Sequence, residues 1–409
     1  MPRLTSKLEE RAAARRPTSL AIALADRIGQ LDPGSWGAVS RDQSFFFSLP
    51  YLRMLQAVAP ENIEPRYALV SRGDEPLAGV CAQMIRVSLA QVHTGAAKSL
   101  LAGLDDRVTQ RVLVCGNALT FGMHAVCFAP GADRALAWTG VAEALYRMRR
   151  AEKLAGHMDL VVIKDLSAPH TEESAVLGKL SYGKVETQPD MVLALDPAWR
   201  SHGDYLASLT SKYRSDVKAR VFKRFDEAGC TLETMSAAQA AAEAGALQQL
   251  YLQVHGGATL RPFRLRPEYW AALAHAGGED VALHVARRNG SPVGFMLTLR
   301  DRETALAYHI GFDRNIAAEG VPLYLRLLHA AVEQSIRFGC RRVCFGRTAL
   351  EPKARLGCKP EPMYVWARHR HPVLNQLLRP LLGFIQHDEA PDFDPFKKAV
   401  GSVETAVGG

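Results

Sequence analysis

Between residues 210 and 229 the chain reads TSKYRSDVKARVFKRFDEAG, in which Tyr213, Val217, Val221 and Phe225 recur at i, i+4, i+8 and i+12. That period predicts a helix docked by one apolar stripe. Lys212, Arg214, Lys218, Arg220, Lys223 and Arg224 occupy its other faces against three acids, so its outer surface is cationic. Such a face serves either as a solvated surface or as a docking site for an anion.

Elsewhere the period shortens to that of strands. ALVSRGDEPLAGV (68–80) places a polar turn and Pro76 between two apolar runs, with Gly79 in the second. ALHVARRNGSPVGFM (282–296) repeats the scheme with Asn289, Gly290, Pro292 and Gly294. Both read as antiparallel hairpins. Downstream, a helix over 135–154 precedes an apolar strand at 158–164, and a helix over 321–338 precedes a strand at 343–345. Repetition at a spacing near half the chain predicts a duplicated domain.

The second half continues this pattern with a strand at 231–234, helices over 237–255 and 267–275, strands at 281–286, 293–299 and 304–313, and a last strand at 363–367. Antiparallel strands, a helix and further strands make an α+β domain. Gly320 and Pro322 open the helix 321–338 and Gly339 follows it. Strand 304–313 therefore feeds a helix N-terminus through the loop 314–320, where unpaired backbone N–H groups can receive an anion.

Composition narrows the class. A chain of 409 residues with 48% hydrophobic side chains has material for two cores. A net charge of +8 and pI near 9.1 favour anionic partners such as phosphates, nucleic acid or a lipid surface. The excess is modest, and no recognised nucleic-acid module accompanies it, which weighs against a general nucleic-acid-binding protein. The seven cysteines (Cys81, Cys115, Cys127, Cys230, Cys340, Cys344, Cys358) include no CxxC pair and read as buried thiols, giving neither a zinc site nor a disulfide framework. The basic start (Arg3, Lys7, Arg11, Arg15, Arg16) precedes an apolar run, 20–25, that Asp26 ends too early for an export signal. No segment approaches the roughly 18 apolar residues of a membrane span, so a soluble cytoplasmic protein is expected. HPVLNQLLRPLLGFI (371–385), after Arg368, His369 and Arg370, reads as a helix docking onto its own domain or as a contact with a membrane surface. The expected organisation is a basic helical extension (1–35), a first domain (36–197), a second (198–386) and a mobile tail (387–409).

Strand, anion-receiving loop, helix and splayed following strand resemble the GNAT acyltransferase fold. Duplication, with the pattern L-(S/T)-x-K-x-R and a basic helix ending in Gly over 209–229, resembles its double-domain branch, which includes the Fem-type aminoacyl transferases and acetyltransferase-like proteins. FGRTALEPKARLGCKPEPMYVW (345–366) is similar to that branch's closing pattern of Gly346, Lys353 and Gly357. The resemblance implies two tandem GNAT-like domains, each a mixed, mostly antiparallel sheet flanked by helices. It also implies acyl or aminoacyl transfer from an activated donor to an amine, with acyl-CoA or aminoacyl-tRNA as co-substrate and no tightly bound cofactor or metal. The chain departs from it at RNIAAEGV (314–321), which keeps only Gly320 of the Q/R-x-x-G-x-G/A phosphate loop, at FAPGADRAL (128–136) with its single glycine, and at Pro352, where the family often has Phe. A duplicated scaffold that binds an anionic partner without catalysis is the alternative.

Acyl transfer needs a donor for the developing oxyanion and a route for the released proton. The resemblance assigns Lys353 to the donor carbonyl or phosphate; its place ahead of Gly357 predicts a side chain the fold does not need. Alternation along 304–313 places Leu306, Tyr308, Ile310 and Phe312 on a core face and Ala305, Ala307, His309 and Gly311 on the other. His309, among small residues, reads as a proton relay assisted by Tyr308 or as a histidine held by a structural hydrogen bond. Arg314 and Gly320 belong to the anion loop, and Arg347 either clamps a carboxylate or phosphate or caps the sheet. HGGATLRPFRLRPEYW (255–270) offers His255, Arg261 and Arg264 with aromatic neighbours to an anionic acceptor, while Lys212 and Arg214 open the basic helix toward it. GNALTFGMH (116–124) matches no phosphate loop and reads as a bend within a sheet.

Overall fold

The computed structural model describes residues 12, 15–88, 109–256, 263–376 and 390–397. Among these the strands, in chain order, are β1 (Ala21–Ala25), β2 (Ile63–Arg72), β3 (Glu75–Ser88), β4 (Thr109–Cys115), β5 (Val126–Phe128), β6 (Leu160–Leu166), β7 (Gly183–Ala194), β8 (Cys230–Met235), β9 (Val281–Arg288), β10 (Ser291–Asp301), β11 (Thr304–Phe312), β12 (Arg342–Cys344) and β13 (Lys359–His369). Two compact units form, and they interleave in sequence: 1–190, 236–281 and 361–388 make the first, and 191–235, 282–360 and 389–409 the second.

In the first unit, β2 and β3 form the hairpin, turning at Gly73 with φ of 58°. β3 pairs antiparallel with β4, and β4 pairs parallel with β6 from Val112↔Leu160 onward. A parallel neighbour requires a crossover. Helix Arg134–Ala151 supplies it, started by the Asp133 carboxylate, which accepts from the Ala135 and Leu136 amides at 3.0 and 3.1 Å. Its apolar face (Trp138, Val141, Leu145, Met148) closes a core with Val70, Val80, Leu113 and Ile163. β13 then pairs antiparallel with β6.

The second unit repeats that order. β9 and β10 turn at Asn289 and Gly290, both with positive φ. β10 and β11 are antiparallel, and β12 lies parallel to β11 after the crossover helix Leu323–Arg337, which buries Leu323, Leu327, Leu328, Ala331 and Val332. On its other side β12 pairs antiparallel with residues 192–194 of β7. Each unit therefore takes a strand from the other half of the sequence. The basic helix also lies here, as Ser211–Val217, a π-helical turn Lys218–Lys223 and Arg224–Glu227, closed by Gly229 at φ of 68°. Val221 and Phe225 are buried while Tyr213 and Val217 pack against the same core, as the period of four requires.

Packing between the first crossover helix and its sheet is tightest at Gly140, where a Cβ would lie 2.5 Å from Val70 Cγ1 and 2.8 Å from Leu20 Cδ1. Val70 is β-branched and has little freedom to yield. Gly140→Val is expected to lower stability by about 1–3 kcal/mol through overpacking, read as a lower denaturant midpoint.

Candidate functional site

The feature that organises the second unit is a parting of two parallel strands. β11 and β12 pair only over Thr304↔Arg342, Ala305↔Val343 and Leu306↔Cys344. Past Cys344 the pairing with β7 continues while that with β11 ends: the Phe345 amide donates to Met191 O at 2.8 Å and the Met191 amide donates to Gly346 O at 3.1 Å. β11 continues on β10 as far as Phe312. The pair opens into a wedge with Tyr308 and His309 on one arm and Arg347 beyond the other.

A β-bulge sits within that opening. Leu297 pairs with His309 and Thr298 with Ala307, which leaves Tyr308 as the extra residue. The extra residue inverts the alternation. Ala305, Ala307, Ile310 and Phe312 face the core of the crossover helix, so the expected core face of Leu306, Tyr308, Ile310 and Phe312 is corrected. Tyr308 is buried, its ring 4.0 Å from that of the half-buried His309. Burial pushes the His309 imidazole down to about 3, so the ring is neutral at physiological pH and too weakly basic to hold a proton there.

Lys353 lies on the short helix Leu350–Arg355 and is only 4% exposed. Its Nζ donates to Gly346 O at 3.2 Å and Arg347 O at 2.7 Å, fastening the turn in which Thr348 and Ala349 take positive φ. The expectation that the fold does not need it is therefore corrected: a buried ammonium holds the half-buried Arg347 at the mouth of the wedge.

The loop after β11 is not an open phosphate cradle. Residues Arg314–Ala318 form one helical turn capped by Asp313, whose carboxylate accepts from the Asn315 amide at 2.8 Å and the Ile316 amide at 3.2 Å. Glu319 pairs with Arg288 at 2.8 Å. Two amides that would meet a pyrophosphate are thus committed to an acid, with a second acid beside Gly320. The residues present do not fit a nucleotide pyrophosphate held as glycine-rich loops hold it. Arg314 is exposed on this turn, and Gly320 takes φ of 91°.

The other candidates are carried on other elements. On the basic helix Lys212, Lys218, Arg220, Lys223 and Arg224 are exposed, whereas Arg214 turns inward to the carbonyls of Ala207 and Leu209 at 3.4 and 3.3 Å. His255 and Arg264 belong to the first unit, where they line an open cleft of about 610 Å³ with Phe263, Arg266 and Glu268. His255 stacks on Tyr251 with centroids 5.1 Å apart, and Gln248 ties Trp270 to Leu265 O. Arg261 lies outside the described residues.

Comparison with known proteins agrees with this layout. Residues 211–353 match the acetyltransferase (GNAT) domain family. A solved structure of FemX aligns over 87% of this chain and 99% of its own, with a TM-score of 0.51 and 11% identity. A tandem GNAT protein from the clavulanic acid biosynthesis pathway aligns over 86% and 99%, with a TM-score of 0.50 and 14% identity. No curated protein matches the sequence. The chain has the tandem GNAT fold.

Two groups in this tandem GNAT chain escaped the sequence reading. In the second unit the His202 and His329 rings meet, Nε2 to Nδ1, at 3.1 Å. Arg326 lies over Phe222 at 4.7 Å and Phe225 at 5.5 Å. Burial, then the Arg326 charge, lowers His202 to about 4, and burial keeps His329 well below its ordinary value. In the first unit GNALTFGMH is more than a bend. The Asn117 amide nitrogen donates to Tyr51 Oη at 2.6 Å and Gln83 Nε2 donates to Asn117 Oδ1 at 3.2 Å. Lys164 reaches Asn117 O, Thr120 O and the buried Asp165 carboxylate. A polar Asn and His amid apolar neighbours was the available signal.

Two outcomes follow. Lys353→Met removes the ammonium donor from the buried Gly346 carbonyl and the half-buried Arg347 carbonyl and is expected to cost about 1–3 kcal/mol of stability in chemical denaturation. The depressed imidazoles set a pH dependence. His309 near 3, and His202 and His284 near 4, are neutral in the folded chain at pH values where the unfolded chain, near 6.5, binds protons. Stability therefore rises with pH up to about 6.5 and falls as pH drops toward 4. His202→Gln should flatten that slope in melting temperatures taken between those limits; an unchanged slope would contradict burial as its source.

Proposed function

We propose that this chain is an N-acyltransferase, moving an acyl or aminoacyl group from an activated donor to an amine at the wedge between β11 and β12. The observation that carries this is the parting of the two strands past Leu306 and Cys344, with a bulge at its edge. A gap between parallel strands admits an extended donor along the β11 edge, as the GNAT resemblance implies. Arg347, held by Lys353, supplies positive charge toward a donor phosphate or carbonyl oxygen. Neutral His309 and Tyr308 line the wall and position the acceptor, and the proton lost from the amine passes to solvent or to the acceptor's own groups rather than to His309.

An aminoacyl-tRNA is the donor this reading favours over a CoA thioester. Asp313 and Glu319 occupy the place where a pyrophosphate would dock, while five exposed cations line the helix 211–227. Exposed pairs, Arg220–Asp216 at 3.5 Å and Lys223–Glu227 at 3.6 Å, are weak in water and yield readily to phosphate. The same Asp313 cap favours the second reading, a duplicated scaffold that binds and does not react.

Thermal stabilisation separates these readings. A charged tRNA at a hundred times its dissociation constant should add about 2.7 kcal/mol, and acetyl-CoA at the same concentration should add nothing. Transfer of a labelled amino acid to amine acceptors distinguishes the enzyme from the scaffold. Reversing Lys218, Arg220 and Lys223 to Glu should weaken tRNA binding and lower its salt slope by about 0.9 for each duplex phosphate no longer neutralised, with the melting temperature nearly unchanged. Stabilisation by acetyl-CoA alone would overturn the donor assignment.

A further inference from the structure

A cationic, partly apolar face of the first unit is lined by residues that none of the candidate sites above uses. A cleft of about 500 Å³ is lined by Arg149 and Arg150 from the end of helix Arg134–Ala151, Lys153 and His157 after it, and Arg370 and His371 past β13. Asp159 takes up Arg370 at 2.6 Å. Glu152, the other acid of this stretch, is committed to Arg66 and Arg111 at 2.7 Å each. The remaining cations face solvent around Tyr146, which is 44% exposed and carries the Arg149 and Arg150 guanidinium groups 5.8 Å from its ring.

The second observation is where the exposed apolar side chains fall. Among the described residues the large hydrophobic side chains left open are Leu24, Tyr146, Leu154, Val373 and Leu374. Four of those five border this cleft in sequence or line it. Leu154, next to Lys153, is 101% exposed, and Val373 and Leu374, directly after Pro372, are 59% and 48% exposed. A nucleic acid is bound by charge and stacking and has no use for open leucines beside the cations. Leucine, valine and tyrosine amid Lys and Arg are the composition of a surface that enters the headgroup region of an anionic bilayer.

We propose that this face docks the protein on an anionic lipid surface, with Leu154, Val373 and Leu374 entering the acyl boundary and Arg149, Arg150 and Lys153 meeting lipid phosphates. The contact is peripheral, and among the described residues no helix is long and apolar enough to cross a membrane.

Co-sedimentation of the full chain with vesicles tests it, using phosphatidylcholine alone and phosphatidylcholine mixed with phosphatidylglycerol. Binding is expected to the mixed vesicles only. The Leu154→Ser/Val373→Ser/Leu374→Ser variant should lose most of that binding, and Arg149→Ser/Arg150→Ser should weaken it about tenfold or more. Leu154, Val373, Leu374 and Arg150 are exposed and Arg149 is half-buried at the rim, so both variants should keep a melting temperature close to the parent's. Failure to bind mixed vesicles overturns the proposal. Binding that the serine variant leaves intact overturns it too, because charge alone then holds the vesicle. A parent chain that self-associates through the three apolar residues and ignores vesicles assigns the face to a second copy. tRNA binding abolished in Arg149→Ser/Arg150→Ser, without vesicle binding, assigns it to nucleic acid.

Discussion

Everything distinctive about the second unit depends on where the backbone of residues 345–346 sends its hydrogen bonds. Buried amides and carbonyls must be paired, and residues 342–344 of β12 serve two neighbours at once, β11 on one side and β7 on the other. Past Cys344 only the β7 side continues, through Met191, while the pairing with β11 stops and the wedge opens. Met191 belongs to β7, which the first half of the sequence supplies.

Each unit uses a lysine to gather backbone carbonyls, from a different element in each. Lys164, on β6 of the first unit, reaches the Asn117 and Thr120 carbonyls after β4, and Lys353, on the helix after β12 of the second, reaches the Gly346 and Arg347 carbonyls ahead of it. An ammonium with three donors can gather carbonyls that regular structure has left without partners. The first unit adds the buried Asp165, itself at φ of 61°, which neutralises the charge inside. In the second the lysine secures a turn with two residues at positive φ beside Arg347.

Much of this was legible in the chain. Apolar periods set the crossover helices, the hairpins and the docked face of 211–227, because those elements are fixed by side chains close in sequence. The bulge at Tyr308 was not legible, since an extra residue looks the same as a regular one until its partner on β10 is known, and it reversed which residues face the core. Lys353 looked expendable because burial of a polar residue depends on groups remote from its neighbours in sequence. Strand exchange escaped for the same reason. Asp313 is different. An Asp at the end of a strand and ahead of a short helical run is a recognised capping signal, and reading it would have closed the phosphate loop from sequence.

Charge then decides how an anion can approach the second unit. Asp313 and Glu319 make the short helix Arg314–Ala318 a poor site for phosphate, even though helix N-termini ordinarily attract it. The exposed cations of 211–227 lie on another helix, and the side chain of Arg214 is spent on backbone carbonyls. A small donor whose only anionic handle is a pyrophosphate meets acids at the loop and gains little from a separate cationic helix. A long polyanion can touch that helix while its reactive end enters the wedge, so affinity and chemistry need not share one surface. The π-helical turn at Lys218–Lys223 fits this division, for it presents Lys218, Arg220 and Lys223 outward while Val221 stays in the core. Selectivity between donors would then arise from what the loop repels as much as from what the helix attracts.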